Sequence, residues 1–297
     1  MSTLNQPQTG VIHNIGYRHY DGDRLGRFDI AKALLWQTFR GAFGIQRGPL
    51  AKIFPWFLMA CTLIPAFVIV AIETNVGTTI LEMSTYTTMV QAVPALFLAV
   101  QAPQAVSRDL RFGTMSLYFS RPIRPRDYVT AKVAAVCAAL MVFLTAPLVL
   151  LYIGELLVDE PFWATTLDLL ISTGSVLLLA ILLASLGVLI ASVTPRRGLG
   201  VAAILTVVAG SYGVATTLQS SISFVSGPES DGAIWAAVLS PVTLYDTAQA
   251  GLFNLKTSTL GLDPGIGIGL GATAIILLLS ALCYWLLNVR YRKVASA

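Results

Sequence analysis

Charged side chains are scarce in this chain. Asp, Glu, Lys and Arg make up 11% of it and apolar residues 56%, whereas about 25% of a soluble globular protein is charged. A chain this poor in charge has too little polar surface to stand in water, so the soluble globular class is excluded. Cysteine is scarcer still: Cys61, Cys137 and Cys283 each stand inside an apolar run. They read as small buried hydrophobes, which excludes a disulfide framework and a cysteine metal cluster. No Gly-x-x-x-x-Gly-Lys-Ser/Thr phosphate loop occurs, so the chain is expected neither to hydrolyse ATP itself nor to hold a cofactor. No charge lies in the middle of an apolar run, which argues against proton- or ion-coupled transport. The acids on the basic side of the chain, Asp21, Asp23, Asp29, Asp109 and Asp127, are too scattered for a membrane-embedded transferase, and no enzymatic activity is expected. The first 28 residues show no apolar run behind a basic segment, so no cleavable signal peptide is expected there.

What the chain does have is six uncharged runs, at 53–72, 83–106, 133–154, 169–194, 198–227 and 264–289. A hydrocarbon core about 30 Å thick needs about 20 helical residues, and every run is long enough. The gaps between them alternate in sign. Residues 1–52 hold seven Lys/Arg, 107–132 six, 195–197 two and 290–297 three, while the other gaps hold ten of the fifteen Asp/Glu and a single lysine, Lys256. Basic residues cost about 2.5–3.5 kcal/mol each at a bilayer centre and are retained in the cytoplasm. The pattern therefore predicts an all-α polytopic membrane protein of six transmembrane helices with both ends cytoplasmic. The net charge of +4 then reports topology, and a nucleic-acid partner is not expected.

Residues 1–28 read as a cytoplasmic tail. His13, His19, Asp21 and Asp23 allow a metal site in principle, but Gly16 and Gly22 break any helical register. Over 29–48, Leu35, Phe39, Ala42 and Phe43 fall on one face with Arg40 and Arg47 on another; with Trp36 this predicts an amphipathic helix in the membrane interface. Gly48-Pro49 predicts a break before the first span. The six-span membrane body follows over 49–290, with a tail at 291–297. Glu73 and Glu82 bound a tight outer turn, and the carboxylates Glu155, Asp159 and Glu160 read as a solvated outer loop, with cation binding as the less favoured alternative. Residues 233–239 and 242–253, split by Ser240-Pro241, are too short to span and are expected as outer surface or re-entrant helices. Prolines 55, 65, 94, 103 and 147 are expected to kink the first three spans.

The basic gap at 107–132 is too long for a plain connector. Leu110, Thr114, Leu117 and Tyr118 predict one face of a helix of about three turns, broken at Pro122 and Pro125. Asp127 then stands where the dipole of the third span favours a carboxylate. The simpler alternative is a solvated basic loop held at the anionic leaflet.

At these residues the chain resembles a family. Asp109, Gly113-Thr114, Ser120, Pro122-Ile123, Arg126 and Lys132, followed by Ser240-Pro241-Val242-Thr243 before the last span, match motifs of type-2 ATP-binding cassette (ABC) transporter permeases. Two departures are Asp109 where the family usually has Glu, and Met115 where an acid is common. The resemblance implies an exporter-like subunit of a prokaryotic plasma membrane, paired with a second permease copy or paralogue and with ATPase subunits that hold Mg-ATP. It implies a coupling helix at the ATPase made by Arg108, Asp109, Arg111, Gly113, Thr114, Leu117 and Tyr118, braced by Arg121, Pro122 and Arg126. Gln91, Gln101, Thr206, Ser211, Tyr212 and Thr216 would then line a path for an apolar or amphipathic substrate; Ser and Thr at such positions also serve close helix packing. A non-transporting membrane anchor that recruits a cytoplasmic partner is the other reading.

Overall fold

The computed structural model describes Gly22 and residues 26–45, 48–120, 122–158, 160–194, 196–227, 230–253 and 264–296. The expected tail up to residue 21, with its histidines, lies outside the described residues, as do Arg121, Asp159 and Lys256. Among the described residues every regular element is helical.

The chain opens with α1 (Arg27–Ala42), turns at Phe43–Ile45, and enters α2 (Pro49–Val76) with Gly48 extended and Pro49 at the first helical position. The expected break is therefore present, since proline is pre-set for a helix start and lacks only a donor that has no partner there. A hairpin turn leads to α3 (Met83–Met89) and α4 (Ala92–Arg111), whose axes differ by 58°. Pro94 sits in the first turn of α4, so the continuous run read at 83–106 is a broken span. Prolines 55, 65, 103 and 147 lie inside uninterrupted helices. Then come α5 (Met115–Phe119), α6 (Pro125–Leu157), α7 (Phe162–Val193) and α8 (Arg197–Leu205). A π turn, Thr206–Gly210, joins α8 to α9 (Ser211–Ser226). The chain ends with α10 (Asp231–Ala236), a 3-10 turn Ala237–Leu239, α11 (Pro241–Phe253) and α12 (Gly265–Ser296). Five helical stretches are long and apolar enough to cross a membrane, with Arg197–Ser226 taken as one, and the bent α3–α4 pair makes a sixth.

Helices α6 and α7 form the centre, packed on each other and on α1, α2, α4, α11 and α12. Association of helices in lipid depends on close approach rather than on water exclusion. Ala99, Ala102, Ala139, Ala180, Ala184 and Ala191 are fully buried along these seams. Rings join α1 to the bundle: Phe43 meets Phe97 at 5.8 Å, and Phe97 stacks on Phe143 at 4.7 Å. The stripe read on α1 is only partly right. Leu34, Ala42 and Phe43 are buried, Leu35 and Phe39 are half-buried, and Trp36 faces outward, where it stacks on Phe39 and lies under Arg40.

Of the two forms expected for α11, outer surface or re-entrant, burial excludes the first: most of the helix is buried against α12, α7 and α9, because its polar groups find partners inside. One expectation at the acidic end is corrected: Glu155 is not a solvated loop residue but is buried at the end of α6, and Glu73, which bounds the hairpin turn as expected, is buried at the end of α2. Glu73 Oε1 accepts the Ile80 and Leu81 N–H groups at 2.8 and 3.2 Å and so closes the hairpin turn.

Candidate functional site

The connector between α4 and α6 is shorter than the charge pattern suggested. Helix α4 runs through Arg111, and α6 begins at Pro125. Asp109 and Lys132 thus stand on the ends of span helices. The expected three-turn helix is split, because Gly113 adopts φ +62°, a left-handed conformation that ends a helix and suits glycine. The turn is held by the Thr114 N–H and hydroxyl, which both donate to Asp109 O at 3.1 and 3.2 Å. Only the five residues of α5 continue beyond it.

This reversal folds the connector back on a polar cluster. Asp109 Oδ2 accepts from Lys132 Nζ at 2.9 Å and from Tyr128 Oη at 2.7 Å. Lys132 also donates to Ala105 O at 2.7 Å and lies 5.4 Å from the Tyr128 ring centroid. The Tyr128 ring contacts Tyr118 at 5.6 Å and Tyr291 at 5.1 Å. One carboxylate therefore ties α4 to α6, with tyrosines extending the tie to α5 and α12. Charges buried this deeply are tolerated because each has several partners. Beside the cluster, Arg27 grips Asp127 and locks the start of α1 to the start of α6; that hydrogen bond holds the Arg27 guanidinium above its ordinary pKa. Asp127 also accepts the Arg124 N–H at 3.0 Å, the helix-start role read from its position.

The predicted coupling residues divide by direction. Asp109, Thr114 and Tyr118 line a cavity of about 400 Å³ between α1, α4 and α6, with Gln37, Thr38, Gln101, Gln104 and Lys132 also in its walls. Arg111, Gly113, Leu117, Pro122 and Arg126 face outward. Arg108 belongs to α4, and its side chain lies outside the described residues. Met115 and Ile123 are buried and pin the connector to the core. That explains the absence of an acid at 115: in this chain the position points inward. Sequence reasoning missed Phe112, which is 68% exposed, as is Leu117, and which also lines the basic-end cavity; the available signal was a lone aromatic between Arg111 and Gly113. It also gave no role to Tyr128 or Tyr291, aromatics set one turn inside a span boundary.

The six predicted path residues are not brought together within one chain. Gln101 lies in the basic-end cavity, its Oε1 buried without a partner among the described residues. Gln91 stands at the α3–α4 break and Thr206 in the π turn. Tyr212 is half-buried, and the Ser211 and Thr216 hydroxyls donate to Val208 O and Tyr212 O of their own helix at 3.2 and 2.9 Å. The second motif is structural. Ser240 Oγ accepts the Val242 N–H at 3.3 Å and Thr243 Oγ1 donates to Ala237 O at 2.8 Å, so the motif caps α11. Asp246 Oδ1 then accepts from Thr88 at 3.3 Å and Gln249 at 3.0 Å, linking α11 to α3.

A comparison with curated proteins finds no match. A family model described as ABC-2 family transporter protein matches residues 20–293, and the chain, a multi-pass membrane protein that the match covers across all its spans, belongs to that family.

Proposed function

We propose that this chain is the membrane-spanning permease subunit of an ATP-driven exporter in a prokaryotic plasma membrane. Family membership implies association with ABC ATPase subunits. In this reading they hold Mg-ATP, the basic end faces the cytoplasm, and two permease copies, or this chain and a paralogue, form the path. The observation that carries it is the two-sided build of the connector. Outward it offers Phe112 and Leu117, both largely exposed, among Arg111, Arg124 and Arg126; inward it is riveted by Met115, Ile123 and the Asp109–Lys132 cluster. A push on the outer face is transmitted to α4, α6 and α12 together. In their middle turns the spans offer amides and hydroxyls rather than fixed charge, which supports an apolar or amphipathic substrate.

The test is co-purification with the ATPase subunit, followed by ATP turnover. Burying Phe or Leu at an interface is worth about 1.5–3 kcal/mol, so Phe112→Asp and Leu117→Asp are each expected to weaken ATPase capture about tenfold or more. Gly113→Pro, which cannot hold a positive φ, is expected to abolish coupled turnover. Wild-type capture and turnover in all three variants would overturn the coupling assignment.

A further inference from the structure

The basic-end cavity between α1, α4 and α6 has the volume of a small-molecule pocket, about 400 Å³,. Three carboxamides border it, Gln37 from α1 and Gln101 and Gln104 from α4. A primary amide offers two N–H donors and a carbonyl acceptor. Thr38 and Thr114 stand in the same wall. Their hydroxyl protons are spent on Leu34 O at 2.8 Å and Asp109 O at 3.2 Å, which leaves the two oxygens as acceptors. The wall therefore recognises a partner that both donates and accepts hydrogen bonds.

Charge decides which partner. Among the described residues, Asp109 and Lys132 are the charged members of the wall, and they face each other at 2.9 Å. Asp109 takes Lys132 and Tyr128 on one oxygen, Oδ2, and its side chain stays 17% exposed, against 6% for Lys132. An anion drawn to the ammonium meets the carboxylate at nearly the same distance, and a cation meets the reverse, so neither gains enough to offset its lost hydration. An uncharged group gives up only hydrogen bonds to water, which the amides replace. The cavity stands at the basic ends of span helices α4 and α6, at head-group depth, and Leu34, Val136 and Phe112 give its wall an apolar part. Hydrogen-bonding groups beside apolar ones at that depth match an amphiphile.

We propose that the basic-end cavity binds the uncharged head group of an amphiphile, with Gln37, Gln101 and Gln104 exchanging hydrogen bonds with its hydroxyl or amide groups and Leu34, Val136 and Phe112 receiving the start of its chain. The site deepens the proposed function by naming a substrate class, and in that respect rests on it. Binding is measured without the ATPase, so a failure here leaves the coupling assignment standing.

The full chain in phosphatidylcholine nanodiscs, with empty nanodiscs as the blank, is titrated calorimetrically with monodecanoylglycerol, decanesulfonate and decyltrimethylammonium. Saturable binding above the blank is expected for the glyceride, and binding about tenfold weaker or more for both ions. Gln104→Leu, which removes one amide, is expected to weaken the glyceride about threefold to tenfold. Gln37→Glu, at an exposed position of α1, is expected to weaken the glyceride and to tighten decyltrimethylammonium about threefold, a change of preference that a merely structural glutamine would not produce. Binding no different from the blank, equal binding of either ion, or wild-type glyceride affinity in both variants would overturn the proposal.

Discussion

Lys132 divides its ammonium among the Asp109 carboxylate, the Ala105 carbonyl and the face of Tyr128. Removing one partner of so enclosed a pair strands the other, at a cost of about 3–5 kcal/mol, whereas replacing both by apolar groups restores much of the loss. Lys132→Met and Asp109→Leu are each expected to lower unfolding stability by about 3 kcal/mol, and the double variant to lose clearly less than the sum; chemical denaturation in detergent measures the cycle. Additive losses would show that the two side chains act separately. The resemblance had already singled out both residues, but nothing in the spacing of 109 and 132 says that they meet. Helical periodicity speaks for one element at a time. The meeting depends on the left-handed turn at Gly113 and on α6 starting several residues before the charge pattern ended.

Helix α11 is held against α12 by a backbone-to-backbone approach at Gly251 and Gly269. A Cβ on Gly269 would come within 2.5 Å of the Gly251 carbonyl carbon, whereas a Cβ on Gly267 or Gly271 would meet nothing within 4 Å. Gly269→Ala is therefore expected to destabilise by about 1–3 kcal/mol, because backbone must shift to admit the methyl group. Gly267→Ala, in open space on the same helix, is expected to be neutral or to stabilise by up to about 1 kcal/mol; thermal unfolding of the two variants side by side checks the contrast. The existence of α11 was legible from its short apolar run and the Ser-Pro start. Its burial was not. Its length said only that it does not span, which leaves surface and re-entrant forms alike open; Thr243, Asp246 and Gln249 each have an internal partner, and pairing of that kind leaves no trace in composition.

For the molecule as a whole, the separation of basic and acidic ends was the most legible property, since run length and charge sign need no tertiary information. After replacement of the three native cysteines, Leu117→Cys is expected to react with a membrane-impermeant maleimide only in inverted vesicles, and Glu160→Cys only from outside intact cells. The reverse result would invert the topology. What the charge pattern hid was how far the helices extend past the uncharged runs, carrying Glu73, Glu155 and Lys132 into buried positions. The fifth span holds a finer feature, the π turn at Thr206–Gly210. A π turn takes in an extra residue, and each residue of an α-helix advances the azimuth by about 100°. Deleting one residue there would re-phase all sixteen residues of α9 and swing the outward band of Val214, Leu218 and Val225 toward a different neighbour, so the width of a single loop of backbone sets the bearing of half a span.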